Sequence, residues 1–212
     1  MGWGMRLLKV LRHCIAAAWL LVLAGLCGPS WAAERTLLVV GDSLSAEYGL
    51  TRGTGWVALL EQQLAGRNIK VVNASISGET TSGGASRIGA LLQQHRPSHV
   101  LIELGGNDAL RGLPLKATQD NLLRMVKAAK AAGAKVLLVG MQVPPNYGKD
   151  YTAQFSGMFV DVARTEKTGL VPFFLKGVAE NEALFQADRI HPNAQAQSLM
   201  LGNVWPELKK LL

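Results

Sequence analysis

Residues 36–45 read Thr-Leu-Leu-Val-Val-Gly-Asp-Ser-Leu-Ser: an apolar run that breaks into a glycine and a polar turn. The run from Thr36 to Val40 is short, rich in Val and Leu, and continuous instead of alternating. A strand buried on both faces reads this way. Four further stretches share the character: Val71-Val72 with its neighbours, Val100 to Leu104, Val136 to Val139, and Leu170 to Phe174. Between them lie helical spacings. Trp56, Leu60 and Leu64 share a face, as do Ile88, Leu91 and Leu92, then Leu122, Val126 and Ala129, then Phe155, Met158, Phe159 and Val162. Near the end Met200 or Leu201, Val204, Trp205 and Leu208 repeat the spacing, although Pro206 is expected to disturb that helix. Helix-sized crossovers between buried strands imply a mostly parallel α/β sheet with helices on both sides.

This topology has a functional corollary. In a parallel sheet the carboxyl ends of all strands lie along one edge, where ligand sites gather. The segments leaving those ends are Gly41 to Ser45, Asn73 to Gly78 and Gly105 to Asp108, and a fourth polar stretch, Asp188 to Pro192, precedes the final helix. Four segments far apart in sequence are therefore expected at one crevice.

The amino-terminal 32 residues read differently from the rest. Arg6, Lys9 and Arg12 precede an apolar run from Cys14 to Cys27, and Ser30-Trp31-Ala32 places small residues before Ala33. The run is too short to cross a bilayer of roughly 30 Å and has the length of a signal-peptide core. Residues 1–32 are expected to be a secretory signal, with an uncleaved anchor as the alternative, and 33–212 a single domain. Leu26 stands where a lipoprotein signal wants a small residue, which argues against lipidation at Cys27.

Removal of that segment takes 212 residues to 180 and, with Arg6, Lys9 and Arg12 gone, the formal charge from +7 to +4. The apolar content of 49% belongs to a globular chain and excludes a disordered one. The basic residues that remain are scattered, so no nucleic-acid partner is expected. Both cysteines leave with the signal, so the domain has no disulfide, no thiolate nucleophile and no Cys-ligated metal. About 180 residues bury enough surface for an ordinary core.

Without cysteine, the candidate nucleophiles are a serine, a threonine or a lysine, and a hydroxyl needs a base to take its proton. Ser43 follows the first strand, although a loop serine is more often a turn or cap residue. Of the three histidines in the domain, His95 reads as a helix-end residue and His99 as a surface or strand-entry residue. His191 differs, because Asp188 stands three residues before it and Pro192 fixes the chain after it. A carboxylate that close can hold one ring nitrogen and leave the other free as a base, or it can merely organise a loop. The expected meeting of strand ends with Ser43 favours the first. Gly78 and Ser43 can offer backbone N–H groups and Asn107 a side-chain amide to a developing oxyanion. Taken singly, the glycine-rich segments read as turns.

Gly41 to Ser45, Gly78, Gly105 to Asp108 and Asp188 to Pro192 together resemble the four blocks of the SGNH, or GDSL, hydrolases. The resemblance extends through VVNASISG (71–78), ELGGND (103–108) and PPNYG (144–148), and is strongest to the exported bacterial thioesterase/lysophospholipases and arylesterases. It implies a three-layer α/β/α flavodoxin-like fold with a five-stranded parallel sheet. It further implies Ser43 as nucleophile, His191 as base, Asp188 as its orienting carboxylate, and Ser43, Gly78 and Asn107 as the oxyanion hole. No metal and no other cofactor is implied. The loop from Ala109 to Pro114 resembles one that moves when an acyl chain binds. Leu110, Leu113, Pro144 and Pro145 are therefore assigned to substrate binding. Two positions depart from the pattern: Arg189 stands where relatives have Gly, and Glu47 where a small residue is usual.

The resulting expectation is a serine hydrolase acting on aryl esters, acyl thioesters and lysophospholipids through an acyl-enzyme. Its partners would be small acyl substrates, including lipids at a membrane surface, with no obligate protein partner and a monomeric state. Its location would be periplasmic, or outside the cell. The competing readings are a metal-dependent phosphoesterase, for which Asp42, Asn107 and Asp108 are superficially suited, and a non-catalytic exported binding protein.

Overall fold

A computed structural model describes residues 35–212. The expected signal segment, 1–32, lies outside the described residues. Five strands form one all-parallel sheet in the order β2-β1-β3-β4-β5, with β1 at Arg35–Gly41, β2 at Ile69–Asn73, β3 at His99–Glu103, β4 at Lys135–Val139 and β5 at Gly169–Val171. The helices are α1 Trp56–Leu64, α2 Thr81–His95, the short α3 Gly106–Leu110, α4 Leu115–Ala131, α5 Lys149–Glu166 and α6 Gln197–Lys209. Helices α2, α4 and α5 pack in a row, and α1 packs with α6. This is the three-layer α/β/α arrangement that the alternation of buried runs and amphipathic stretches calls for.

The continuous apolar runs are buried because both sheet faces are covered. Leu37 to Val40, Val100 to Ile102 and Leu137 to Val139 are all buried. From the helix layers, Phe155 meets Phe159 edge-on with ring centroids 5.5 Å apart, and Trp56 meets Phe174 at 5.3 Å. Edge-to-face pairs of this kind add to the burial itself.

The order β2-β1-β3 sets the site. The chain leaves β1 toward one side of the sheet and β3 toward the other, which opens a crevice between their carboxyl ends. Register places Gly41, the last residue of β1, against Glu103, the last of β3. The segments carrying Ser43 and Asn107 therefore start side by side.

Three expectations need correction. The fifth strand stops at Val171, since Pro172 has no N–H to continue the ladder; Phe173 and Phe174 lie beyond it, and Phe174 is buried against Trp56. Helix α6 runs through Pro206 to Lys209. Pro206 and Gly202, four residues earlier, are both exposed, so the missing bond falls on the solvent side. His99 is not a surface residue: it is buried, with Nδ1 bonded to Ser98 Oγ at 2.9 Å and Nε2 to the Leu211 carbonyl at 2.9 Å. Among the described residues no helix is long and apolar enough to cross a membrane.

Gly140, just past β4, joins the sheet to the chain after β5: its N–H donates to Val171 O at 2.8 Å and its carbonyl accepts from Phe174 N at 2.9 Å. A Cβ there would lie 2.7 Å from Pro172 O and 2.9 Å from Val171 O, both backbone atoms with little freedom to move. Gly140→Ala is expected to destabilise the fold by about 1–3 kcal/mol, read as a lower midpoint in urea unfolding. An unchanged midpoint would contradict this packing.

Candidate active site

Beyond β1 the chain turns sharply at Asp42. The Asp42 carboxylate accepts the Leu44 N–H at 3.0 Å, and its carbonyl accepts the N–H groups of Ser45 at 3.2 Å and Ala46 at 2.9 Å. The turn leaves Ser43 half-buried at the sheet edge. His191 arrives from a segment 148 residues away, and its Nε2 lies 2.9 Å from Ser43 Oγ. Its Nδ1 lies 2.6 Å from Asp188 Oδ2. An ionised carboxylate only accepts, so it fixes the ring proton on Nδ1 and leaves Nε2 to accept from the Ser43 hydroxyl.

Asp188 is itself firmly held. Its other oxygen accepts the backbone N–H groups of Ile190 and His191, each at 3.0 Å. Those two amides and the His191 side chain pull its pKa from 3.8 to about 2. The tight turn that aims both amides at one oxygen passes through Arg189, which stands between Asp188 and the two amides with a left-handed backbone, φ 57°. This explains the departure at that position: glycine adopts that φ without strain, and an exposed Arg adopts it at some conformational cost.

Glu47 also has a left-handed backbone, φ 58°. Its carboxylate accepts the N–H of Gly53 at 3.0 Å and of Gly55 at 2.8 Å, closing the loop that leads into α1. The second departure is therefore a loop staple. Its neighbour Tyr48 lays its ring on His191, with centroids 4.2 Å apart. Gln186 Nε2 donates to the Tyr48 carbonyl at 2.8 Å and to the Pro192 carbonyl at 3.2 Å, tying the serine segment to the histidine segment. Neither Tyr48 nor Gln186 was expected from the sequence, since each is a single residue outside any periodic pattern.

Three potential donors face the crevice. The N–H groups of Ser43 and Gly78 have no acceptor among the described residues. Gly78 has φ of 77°, which suits glycine, and Arg111 Nη2 donates to its carbonyl at 2.8 Å. Asn107 sits in the short α3, a helix not foreseen in the polar loop, and donates one amide hydrogen to Asp42 Oδ2 at 3.0 Å. Leu110, Leu113, Pro144 and Pro145 are exposed on the loops after β3 and β4, and no hydrogen bond joins them to Ser43 or His191. Asp108 is absorbed into packing: it accepts the Thr81 N–H at 2.9 Å and is also bonded to the Thr81 and Thr118 hydroxyls.

A serine hydroxyl bonded to an imidazole, itself held by a carboxylate, is the arrangement that lets serine attack an acyl carbon. Residues 39–199 match the model of the GDSL-like lipase/acylhydrolase family. The chain belongs to that family. It is 56% identical over 183 residues to esterase TesA of Pseudomonas aeruginosa, covering 85% of this chain and 91% of that one. It is 41% identical over 181 residues to thioesterase 1/protease 1/lysophospholipase L1 of Escherichia coli K12, covering 85% and 86%. The crystal structure of TesA superposes with a TM-score of 0.82 at 55% identity, covering 84% of this chain and all of that one. The three-layer fold is thus that of solved members of the family.

The Asp188 geometry has a measurable consequence. A carboxyl depressed from 3.8 to about 2 contributes stability that is fully present above pH 3.8 and is lost as pH falls toward 2. Carbon-13 titration of the Asp188 carboxyl is expected to show its midpoint near 2. A midpoint at the ordinary value would mean the two amides do not hold it.

Proposed function

We propose that Ser43, His191 and Asp188 form the catalytic triad of a carboxylic ester hydrolase that works through an acyl-enzyme. The observation that supports this most is the bond from Ser43 Oγ to His191 Nε2, 2.9 Å long, with Asp188 on the opposite ring nitrogen. As Ser43 attacks the acyl carbonyl, His191 takes its proton and Asp188 stabilises the imidazolium. The N–H groups of Ser43 and Gly78 and the free amide hydrogen of Asn107 receive the oxyanion. His191 then gives the proton to the departing alcohol or thiol. Water then attacks the acyl carbonyl as His191 takes one of its protons. The bond from Ser43 Oγ to the acyl carbon breaks as His191 returns that proton to Oγ, releasing the acid and free Ser43.

For substrates we read aryl esters, acyl thioesters and lysophospholipids. The names of relatives, esterase and thioesterase/lysophospholipase, support this range. Leu110 and Leu113, with Pro144 and Pro145, would line the path of the acyl chain, and the exposed leucines leave apolar surface for it to cover. Residues 1–32 would direct a monomeric enzyme to the periplasm or beyond.

Purified protein is expected to hydrolyse a chromogenic short-chain ester, and EDTA should leave the rate unchanged. Ser43→Ala should lower kcat by at least about 10³-fold with an unaltered circular dichroism spectrum. Retained turnover would reject the triad, and loss in EDTA would favour a metal-dependent enzyme. Covering one leucine side chain is worth about 1.5–3 kcal/mol when complete. Leu110→Ser is therefore expected to raise KM for a long-chain acyl thioester by about 5–10-fold. KM for a short aryl ester should hardly change, and equal changes for both would remove Leu110 from the acyl path.

A further inference from the structure

Two carboxyl groups lie directly beneath the nucleophile, and no step of the acyl transfer uses them. Glu103 ends β3 with 1% of its surface exposed, and Asp42 follows β1 with 2% exposed. They are immediate neighbours: the backbone N–H of Asp42 donates to Glu103 Oε2 at 3.3 Å, and the charge of Asp42 is felt by Glu103. Among the described residues neither forms an ion pair with Lys or Arg. The charged groups Asp42 feels are Glu103 itself, His191 when protonated, and the buried Asp108, which repels it.

Two carboxylates in one buried site without a cation cannot both ionise at neutral pH. An account of the four oxygens shows where a proton fits. Asp42 Oδ1 accepts the Leu44 N–H at 3.0 Å, and Asp42 Oδ2 accepts the Asn107 amide at 3.0 Å. Glu103 Oε2 accepts the Ser45 hydroxyl at 2.7 Å and the Asp42 N–H at 3.3 Å. Ser45 Oγ is in turn an acceptor for Trp56 Nε1 at 3.3 Å, which turns its own proton toward Glu103. Glu103 Oε1 is the one oxygen of the four that takes no donor from the described residues. Burial raises the pKa of Asp42 to about 6, and burial together with the charge of Asp42 holds Glu103 well above its ordinary value.

We propose that Asp42 and Glu103 share a single proton, resident on Glu103 Oε1, and that this keeps Asp42 an anion that aims the Asn107 amide at the oxyanion. Both are positioning residues. Asp42 takes one of the two amide hydrogens of Asn107, which fixes the side-chain flip and points the second hydrogen into the crevice. Glu103 donates its proton to Asp42 and so stabilises the buried charge that does the aiming. The room for this pair comes from Gly41, where a Cβ would stand 2.8 Å from Glu103 Oε2. The role of Asn107 rests on the function proposed above. The proton on Glu103 does not.

Infrared difference spectra of the wild type against Glu103→Gln at pH 7, in water and deuterium oxide, test the proton directly. The wild type is expected to show the C=O stretch of a protonated carboxyl, shifted by deuteration and missing from the variant. Absence of that band from the wild type would overturn the proposal. Kinetics test the aiming. Glu103→Leu removes the shared proton that stabilises the Asp42 charge, so kcat should fall about 100-fold, the scale of a lost oxyanion donor, with KM little changed. Glu103→Gln, which still donates to Asp42, should recover all but a few-fold of that loss. Equal damage from Leu and Gln would overturn the aiming role. Should Glu103→Leu fail to fold, the comparison of Glu103→Gln with wild type decides the same point, since a loss of about 100-fold there contradicts it. Should the wild type hydrolyse no ester, the proposed function fails while the infrared band stands or falls by itself.

Discussion

One imidazole joins the two ends of the domain. His191 reaches Ser43 across 148 residues of chain, and that contact exists only because a parallel sheet brings the carboxyl ends of its strands to one edge. The order β2-β1-β3 supplies the crevice, and the left-handed turn at Arg189 gathers two amides onto Asp188 so that the carboxylate stays charged. Tyr48 and Gln186 then hold the histidine segment against the serine segment. Each of these features supports the placement of one ring.

Much of this was legible in the sequence, for identifiable reasons. Strands covered on both faces leave continuous Val and Leu runs, and β1, β3 and β4 fell within a residue or so of expectation. Once the sheet was read as parallel, Ser43, Gly78, Asn107 and the Asp188–His191 stretch followed as neighbours of one edge, since topology and not local pattern places them. Where local pattern stood alone, it misled. Pro206 reads as a helix breaker, yet an exposed proline whose missing partner faces water is tolerated within α6. His99 reads as a surface or strand-entry residue; it does open β3, but it is buried, its ring satisfied through the Leu211 carbonyl.

The residues that escaped notice are those whose partners are distant single residues. Tyr48 and Gln186 belong to no repeat, and Glu47 appeared as an oddity until its three loop amide contacts were in view. Glu103 did leave a signal: a carboxylate closing an otherwise apolar buried strand is costly and calls for a partner. Its partners come from the Gly-Asp-Ser turn and beyond, the Asp42 N–H at 3.3 Å and the Ser45 hydroxyl at 2.7 Å. In this chain the turn that carries Ser43 and the end of β3 are thus joined beneath the nucleophile.

The central claim is that Ser43 carries the acyl group during turnover. Acid-quenching the enzyme with a chromogenic ester in the first turnovers, followed by mass spectrometry of its peptides, tests this directly. The expected result is one acyl group added to the peptide containing Ser43, accumulating at the rate of the initial burst. An acyl group on another residue, or steady hydrolysis with no covalent species formed, would contradict it.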